Sequence, residues 1–113
     1  MVLERRAVGS VEVLRFPARA DASIAAEART EIQGLIDDGR ARLVFDLSGV
    51  DFVDSSGLSV LVTALKKARS AGGDVALLSL SDPVRSLIEL TRLQSAFPMF
   101  DDVDLAVAEL AKS

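Results

Sequence analysis

The sequence contains no cysteine and no histidine among its 113 residues. Without cysteine the chain has no thiol nucleophile, no disulfide and no thiolate metal site. Without histidine a Ser–His–Asp triad is excluded, and the usual general base near neutral pH is missing. No glycine-rich phosphate loop with a lysine is present either. An enzyme of this composition would have to use carboxylates, serine and lysine, so we expect a protein that is not an enzyme and needs no cofactor.

The net charge and the lack of long apolar runs limit the classes of partner and the cellular location that we expect. The net charge is −4, whereas nucleic-acid binding usually requires a basic face, so we expect no nucleic-acid partner. No apolar run is long enough to span a bilayer, and no apolar core follows the first charged residues as in a signal peptide. We therefore expect a cytoplasmic protein with no membrane span. The composition does not fix an oligomeric state.

The sequence is rich in aliphatic residues. Half of the residues are hydrophobic, but only five are Phe and none is Trp or Tyr, so the core must consist of Val, Leu, Ile and Ala. The charged fraction of 27% is low enough for a folded chain. The length suits one core, and we expect a single domain over residues 1–113.

Strand and helix patterns alternate along the chain. They predict strands at 3–8, 11–16, 41–47, 75–80 and 97–100, and helices at 22–36, 55–71, 83–93 and 102–112, with Asp82 capping the third helix. Alternation from residue 11 onward indicates βαβ units. The sequence therefore predicts an α/β fold with a mostly parallel sheet of four or five strands.

The segment from Asp54 to Leu58 joins the strand at 41–47 to the next helix. Ser55 or Ser56 there could cap the first free backbone N–H groups of that helix. The same N–H groups and the helix dipole would also stabilise a phosphate on one of these hydroxyls. The segment is thus either an ordinary cap or a phosphorylation switch.

The loop 18–21 precedes another helix at the same sheet edge, which is the usual functional edge of such folds. We expect this loop to approach the Asp54–Ser55 turn. Asp21 at its end is either a plain N-cap or part of a partner-facing surface.

Three aspartates suggest an alternative, a magnesium site for phosphoryl transfer. Asp46, Asp51 and Asp54 would have to converge on one point. Asp46 falls inside a strand and Asp51 in the following turn, which argues against convergence. We expect Asp54 to support the loop by accepting backbone hydrogen bonds.

The motif Asp54–Ser55–Ser56–Gly57–Leu58 after a buried strand resembles the signature of the STAS domain, and more narrowly of the bacterial anti-sigma factor antagonists. The resemblance covers nearly the whole chain. It extends over segments 13–21, 71–74, 83–93, 97–101 and 106–110. In that family the helices lie chiefly on one side of the sheet, and we expect the same here.

The resemblance implies a function as well as a fold. In the family, the unmodified domain binds an anti-sigma factor with serine kinase activity and frees a sigma factor. Phosphorylation of the first serine ends the binding, and a serine phosphatase restores it. Carried over, Ser55 is the phosphoacceptor, Ser56 and Gly57 open the helix, and Asp21 and Asp54 flank the acceptor. These five residues would form the partner-binding edge.

The resemblance also leaves a second function open. The chain would then be a STAS scaffold subunit of a lipid-transport or stress-signalling complex, with Ser55 never modified. A small carboxylate-based enzyme is a third and weaker alternative.

The chain departs from the family pattern at three positions. Ala18 stands where the family often has Gly, which suggests a less permissive loop before Asp21. Ser59 stands where Gly often follows the leucine, and serine suits a helix there. Arg92 stands where Gly often ends the third helix. Because a left-handed Arg costs on the order of 1 kcal/mol, we expect that helix to continue through Leu93.

Overall fold

The computed structural model describes residues 1–112, in which a mixed β-sheet packs against α-helices on both faces. The strands are β1 (Glu4–Val8), β2 (Val11–Arg15), β3 (Arg19–Ala20), β4 (Arg42–Asp46), β5 (Phe52–Val53), β6 (Asp74–Leu78) and β7 (Met99–Phe100). The helices are α1 (Ala22–Asp37), α2 (Ser55–Ser70), α3 (Asp82–Leu90) and α4 (Val103–Ala111), and a 3₁₀ turn spans Leu93–Ser95.

The main sheet has five strands in the order β1-β2-β4-β6-β7. The first two strands are antiparallel, and every later neighbour pair is parallel. This arrangement confirms the predicted mostly parallel sheet. β3 and β5 form a separate parallel pair of two residues each, which periodicity did not predict because two residues are too few to show a period.

Side chains that alternate along the strands separate two hydrophobic layers. Along β4, Leu43 and Phe45 face the larger cluster, which includes buried residues of α1, α2 and α3. Val44 between them faces a smaller cluster, which includes Ala106 and Leu110 of α4. Three helices therefore cover one face and one helix covers the other. The expectation that the helices lie chiefly on one side is confirmed.

The third helix differs from its prediction at both ends. Ser81, not Asp82, occupies the cap position, and the helix ends at Leu90 rather than Leu93. Arg92 adopts the left-handed conformation, with φ 61° and ψ 25°. That conformation costs about 1–2 kcal/mol. However, it turns the chain after α3 so that Phe97 can be buried, and this side chain is only 2% exposed. Burying a Phe side chain stabilises by about 1.5–3 kcal/mol, so tertiary packing outweighs the local preference.

A substitution at Leu61 of α2 tests how much the packing of the larger hydrophobic cluster stabilises the fold. Its side chain is 1% exposed, so Leu61→Ala should lower the free energy of unfolding by about 2–5 kcal/mol through cavity formation. Leu105→Ala on α4 is the matched control, because that leucine is 61% exposed and its loss should cost under about 0.5 kcal/mol. Urea denaturation measures both. A loss below about 1 kcal/mol for Leu61→Ala would contradict its place in the core.

Candidate functional site

The start of α2 is capped by Asp54. Its backbone is extended, and its Oδ1 accepts a hydrogen bond from the Gly57 N–H at 3.0 Å. The expectation that Asp54 accepts a backbone hydrogen bond is confirmed. The suggestion that Ser55 or Ser56 serves as the N-cap is wrong, because these serines are the first and second helical residues.

Ser55 is exposed, whereas Ser56 is half-buried and Gly57 is buried. Within residues 1–112, neither serine hydroxyl has a hydrogen-bond partner, and the N–H groups of Ser55 and Ser56 have no acceptor. An unoccupied, exposed hydroxyl thus lies beside two free donors at the positive end of the helix dipole. This arrangement suits a group that gains negative charge.

Asp21 caps α1 in the same way that Asp54 caps α2. Its Oδ1 accepts the N–H of Ser23 at 3.0 Å and also the Ser23 hydroxyl, while Arg19 Nε lies 3.3 Å from Oδ2. The hydroxyl of Ser23 is the main cause that lowers the pKa of Asp21 below its ordinary value, and Arg19 contributes less. Of the two readings of Asp21, the structure bears out the N-cap; a role towards a partner stays a proposal.

The pairing of β3 with β5 brings the two helix starts together. The carbonyl of Ala18 accepts the N–H of Asp51 at 2.9 Å, and the carbonyl of Ala20 accepts the N–H of Asp54 at 3.3 Å. Gly57 then packs directly on the Ala20 backbone, where a Cβ atom would lie only 1.9 Å from the carbonyl oxygen. The predicted approach of the 18–21 loop to the Asp54–Ser55 turn is confirmed.

An exposed aromatic ring borders this site. Phe52 is 40% exposed, and the guanidinium carbon of Arg19 lies 4.2 Å from its ring centroid, within cation–π distance. Sequence reasoning missed this pair. The available indication was the context of Phe52, an aromatic residue in an apolar run too short for a buried strand and bounded by Asp51 and Asp54.

The acidic residues do not assemble into a metal site. Asp46 accepts the N–H of Ser48 at 3.0 Å, and Asp54 is occupied as a helix cap. Across residues 1–112 no three acidic side chains cluster with metal-binding geometry. The same part of the chain has no helix long and apolar enough to cross a membrane.

This sheet order, with a capped helix start at its edge, is found in a known domain family. Residues 3–106 match the STAS domain, and the chain belongs to that family. Its relatives carry a narrower name. BtrV of Bordetella bronchiseptica, provisionally named an anti-sigma factor antagonist, is 31% identical over 84 residues, which are 74% of this chain and 72% of BtrV.

Solved structures agree with the family assignment. TM1081 of Thermotoga maritima, provisionally named an anti-sigma factor antagonist, superimposes with a TM-score of 0.89 at 26% identity, covering 96% of this chain and 94% of TM1081. SpoIIAA of Bacillus, an anti-sigma factor antagonist, shares the fold in its unphosphorylated form (TM-score 0.75, 18% identity, 96% and 97% covered). Its phosphorylated form is equally similar (TM-score 0.77, 19% identity, 95% and 97% covered).

Gly57 tests the contact that joins the two helix starts. Gly57→Ala should lower the free energy of unfolding by about 1–3 kcal/mol, because the new methyl group would collide with the Ala20 carbonyl. Gly34→Ala in α1 is the matched control, since a Cβ there has no neighbour within 4 Å and should stabilise the helix by up to about 1 kcal/mol. Opposite signs in urea denaturation are expected. A stabilising Gly57→Ala would refute the contact.

Proposed function

We propose that this protein is a phosphorylation-switched anti-sigma factor antagonist and that Ser55 is its phosphoacceptor. The unmodified form binds an anti-sigma factor that is also a serine kinase, and this binding frees a sigma factor. Phosphorylation of Ser55 ends the binding, and a serine phosphatase restores it. The observation that carries the proposal is the exposed, unbonded Ser55 hydroxyl at the N-terminus of α2. The anti-sigma factor antagonist names of the relatives support the choice of partner.

The chemistry requires little of this chain. The Ser55 oxygen attacks the γ-phosphorus of ATP, forming a new O–P bond while the bond from that phosphorus to the β,γ-bridging oxygen breaks. ADP leaves, and the hydroxyl proton passes to a base of the partner, since this chain has no histidine. Catalysis of phosphoryl transfer consists mainly of positioning and charge stabilisation, which the kinase supplies. Ser55 has only to be reachable, and its exposure meets that need.

The switch works by electrostatics at a rigid surface. Phosphorylation adds about −1.5 to −2 charges at neutral pH. Within the domain, these charges meet the free N–H groups and the dipole of α2, an interaction worth roughly 0.3–1 kcal/mol when exposed. Against a partner pocket that still holds nucleotide phosphates, the same charges are repulsive. Since about 1.4 kcal/mol changes affinity tenfold, a mismatch of a few kcal/mol suffices to end binding.

Ser55→Ala should bind the partner constitutively and accept no phosphate. Ser55→Asp should bind weakly, although one carboxylate imitates a dianion imperfectly. Ser56→Ala is the matched control and should still be phosphorylated, because it keeps the exposed Ser55 and removes only the half-buried serine beside it. Incubation with the cognate kinase and ATP, followed by phosphopeptide mapping, decides the site. Label on Ser56 or Ser59 would overturn the assignment, and no label at all would favour an unmodified scaffold subunit.

The partner-binding edge consists of Asp21, Asp54, Ser55, Ser56 and Gly57, and we add the exposed Arg19–Phe52 pair to it. A kinase that reaches the Ser55 hydroxyl must cover this surface, because β3 and β5 hold its parts together. Aromatic residues and arginine are the residues that most often anchor interfaces. Phe52 therefore supplies the apolar anchor of the edge.

Affinity measurements on the unmodified protein test this edge. Asp21→Asn and Asp54→Asn keep good N-cap residues while removing charge, and each should weaken partner binding without loss of folding. Phe52→Ala should weaken it about tenfold or more, as for an interface anchor. Leu105→Ala is the control, because Leu105 is exposed on α4, on the other face of the sheet. Affinities unchanged in all three variants would remove this edge from the interface.

A further inference from the structure

Arg29 of α1 reaches across to α2. Its Nη2 donates a hydrogen bond to the Ser59 hydroxyl at 3.1 Å. Within residues 1–112, Arg29 forms no ion pair, so its charge is not matched by a carboxylate. Serine is a weak partner for a guanidinium, which binds carboxylates and phosphates most strongly through two parallel hydrogen bonds.

The hydroxyl that Arg29 contacts belongs to the helix that carries Ser55. Ser59 follows Ser55 by one helical turn on the same face, so their Cβ atoms are about 5–6 Å apart. A phosphate on Ser55 would extend its oxygens further from the helix surface. Side chains on a helix lean toward its N-terminus. Both α1 and α2 begin at the β3–β5 pair, so Arg29 and Ser59 lean toward the same end of the domain as Ser55.

Three other charged groups near these helix starts are already engaged. Asp21 and Asp54 cap the two helices, and Arg19 contacts both Asp21 and the ring of Phe52. Arg29 differs from Arg19 because the partner of its guanidinium is a neutral hydroxyl, which an anion can displace.

We propose that Arg29 is an intramolecular phosphate-binding residue that leaves the Ser59 hydroxyl and pairs with the phosphate on Ser55. The inference rests on the proposed function, because it presumes that Ser55 is phosphorylated. Pairing stabilises the phosphate dianion and holds it above the start of α2. Because the pair forms only after modification, it favours the phosphorylated form and so biases the balance between kinase and phosphatase.

The test installs phosphoserine at position 55 during translation, by an expanded genetic code, so that no kinase is needed. Phosphorus NMR then follows the second pKa of the phosphate, which is about 6 in the free group. Arg29→Gln should raise this pKa by roughly half a unit relative to the otherwise unchanged protein, as for loss of an exposed ion pair. Arg29→Lys should give a phosphate pKa between these two values, since lysine keeps the positive charge but lacks the planar guanidinium that can donate two parallel hydrogen bonds. Arg6→Gln on β1 is the charge control and should leave the pKa unchanged.

Ser59→Ala separates phosphate binding from a merely structural role of Arg29. It frees the guanidinium, so the phosphate pKa should stay as low as in the parent protein or fall further. Two results would overturn the proposal. One is a phosphate pKa in Ser59→Ala as high as that in Arg29→Gln, and the other is a phosphate pKa in Arg29→Gln equal to that in the parent protein. Neither result depends on whether a kinase chooses Ser55, which phosphopeptide mapping decides separately.

Discussion

The short parallel pair between β3 and β5 is the contact on which the proposed partner-binding edge depends. It sets Arg19 opposite Phe52 and Ala20 opposite Val53, and it leaves no space for a side chain at position 57. Because α1 follows β3 and α2 follows β5 within two residues, fixing this pair also fixes both helix starts. The Ser55 hydroxyl proposed as the phosphoacceptor, two carboxylate caps and an exposed ring thus share one edge, although they come from segments about thirty residues apart in the sequence.

A switch at this edge can act without refolding the domain. Each N-cap contributes on the order of 1 kcal/mol, within a total stability that is typically about 5–15 kcal/mol for a domain. A phosphate beside the free N–H groups of α2 would add to the stability that these caps contribute and would weaken neither cap. In the proposed complex the same phosphate would face nucleotide phosphates across a desolvated interface, where charges interact more strongly than in water. On this proposal, the difference between the two environments would make the modification decisive for binding and nearly neutral for folding.

Much of the fold followed from periodicity, and what did not follow depends on contacts between distant segments. The order of strands and helices, the parallel sheet and the approach of loop 18–21 were all predicted. The β3–β5 pair has too few residues to show a pattern, and Arg92 turns left-handed because Phe97 must be buried. Glu12 occupies the polar position of an alternating strand, yet it is fully buried and accepts a hydrogen bond from Arg5 at 2.7 Å. The sequence alone does not indicate that Glu12 and Arg5 form a pair.

Asp21 at the start of α1 carries a negative charge that does not change near neutral pH. The chain has no histidine, and the hydroxyl of Ser23 lowers the pKa of Asp21 below its ordinary acidic value. The Asp21 carboxylate therefore keeps its charge throughout the physiological range. If Ser55 is phosphorylated as proposed, the phosphate adds a group that titrates near about pH 6. The proposed pairing with Arg29, whose guanidinium contacts the neutral Ser59 hydroxyl in the unmodified protein, would lower the pKa of that phosphate.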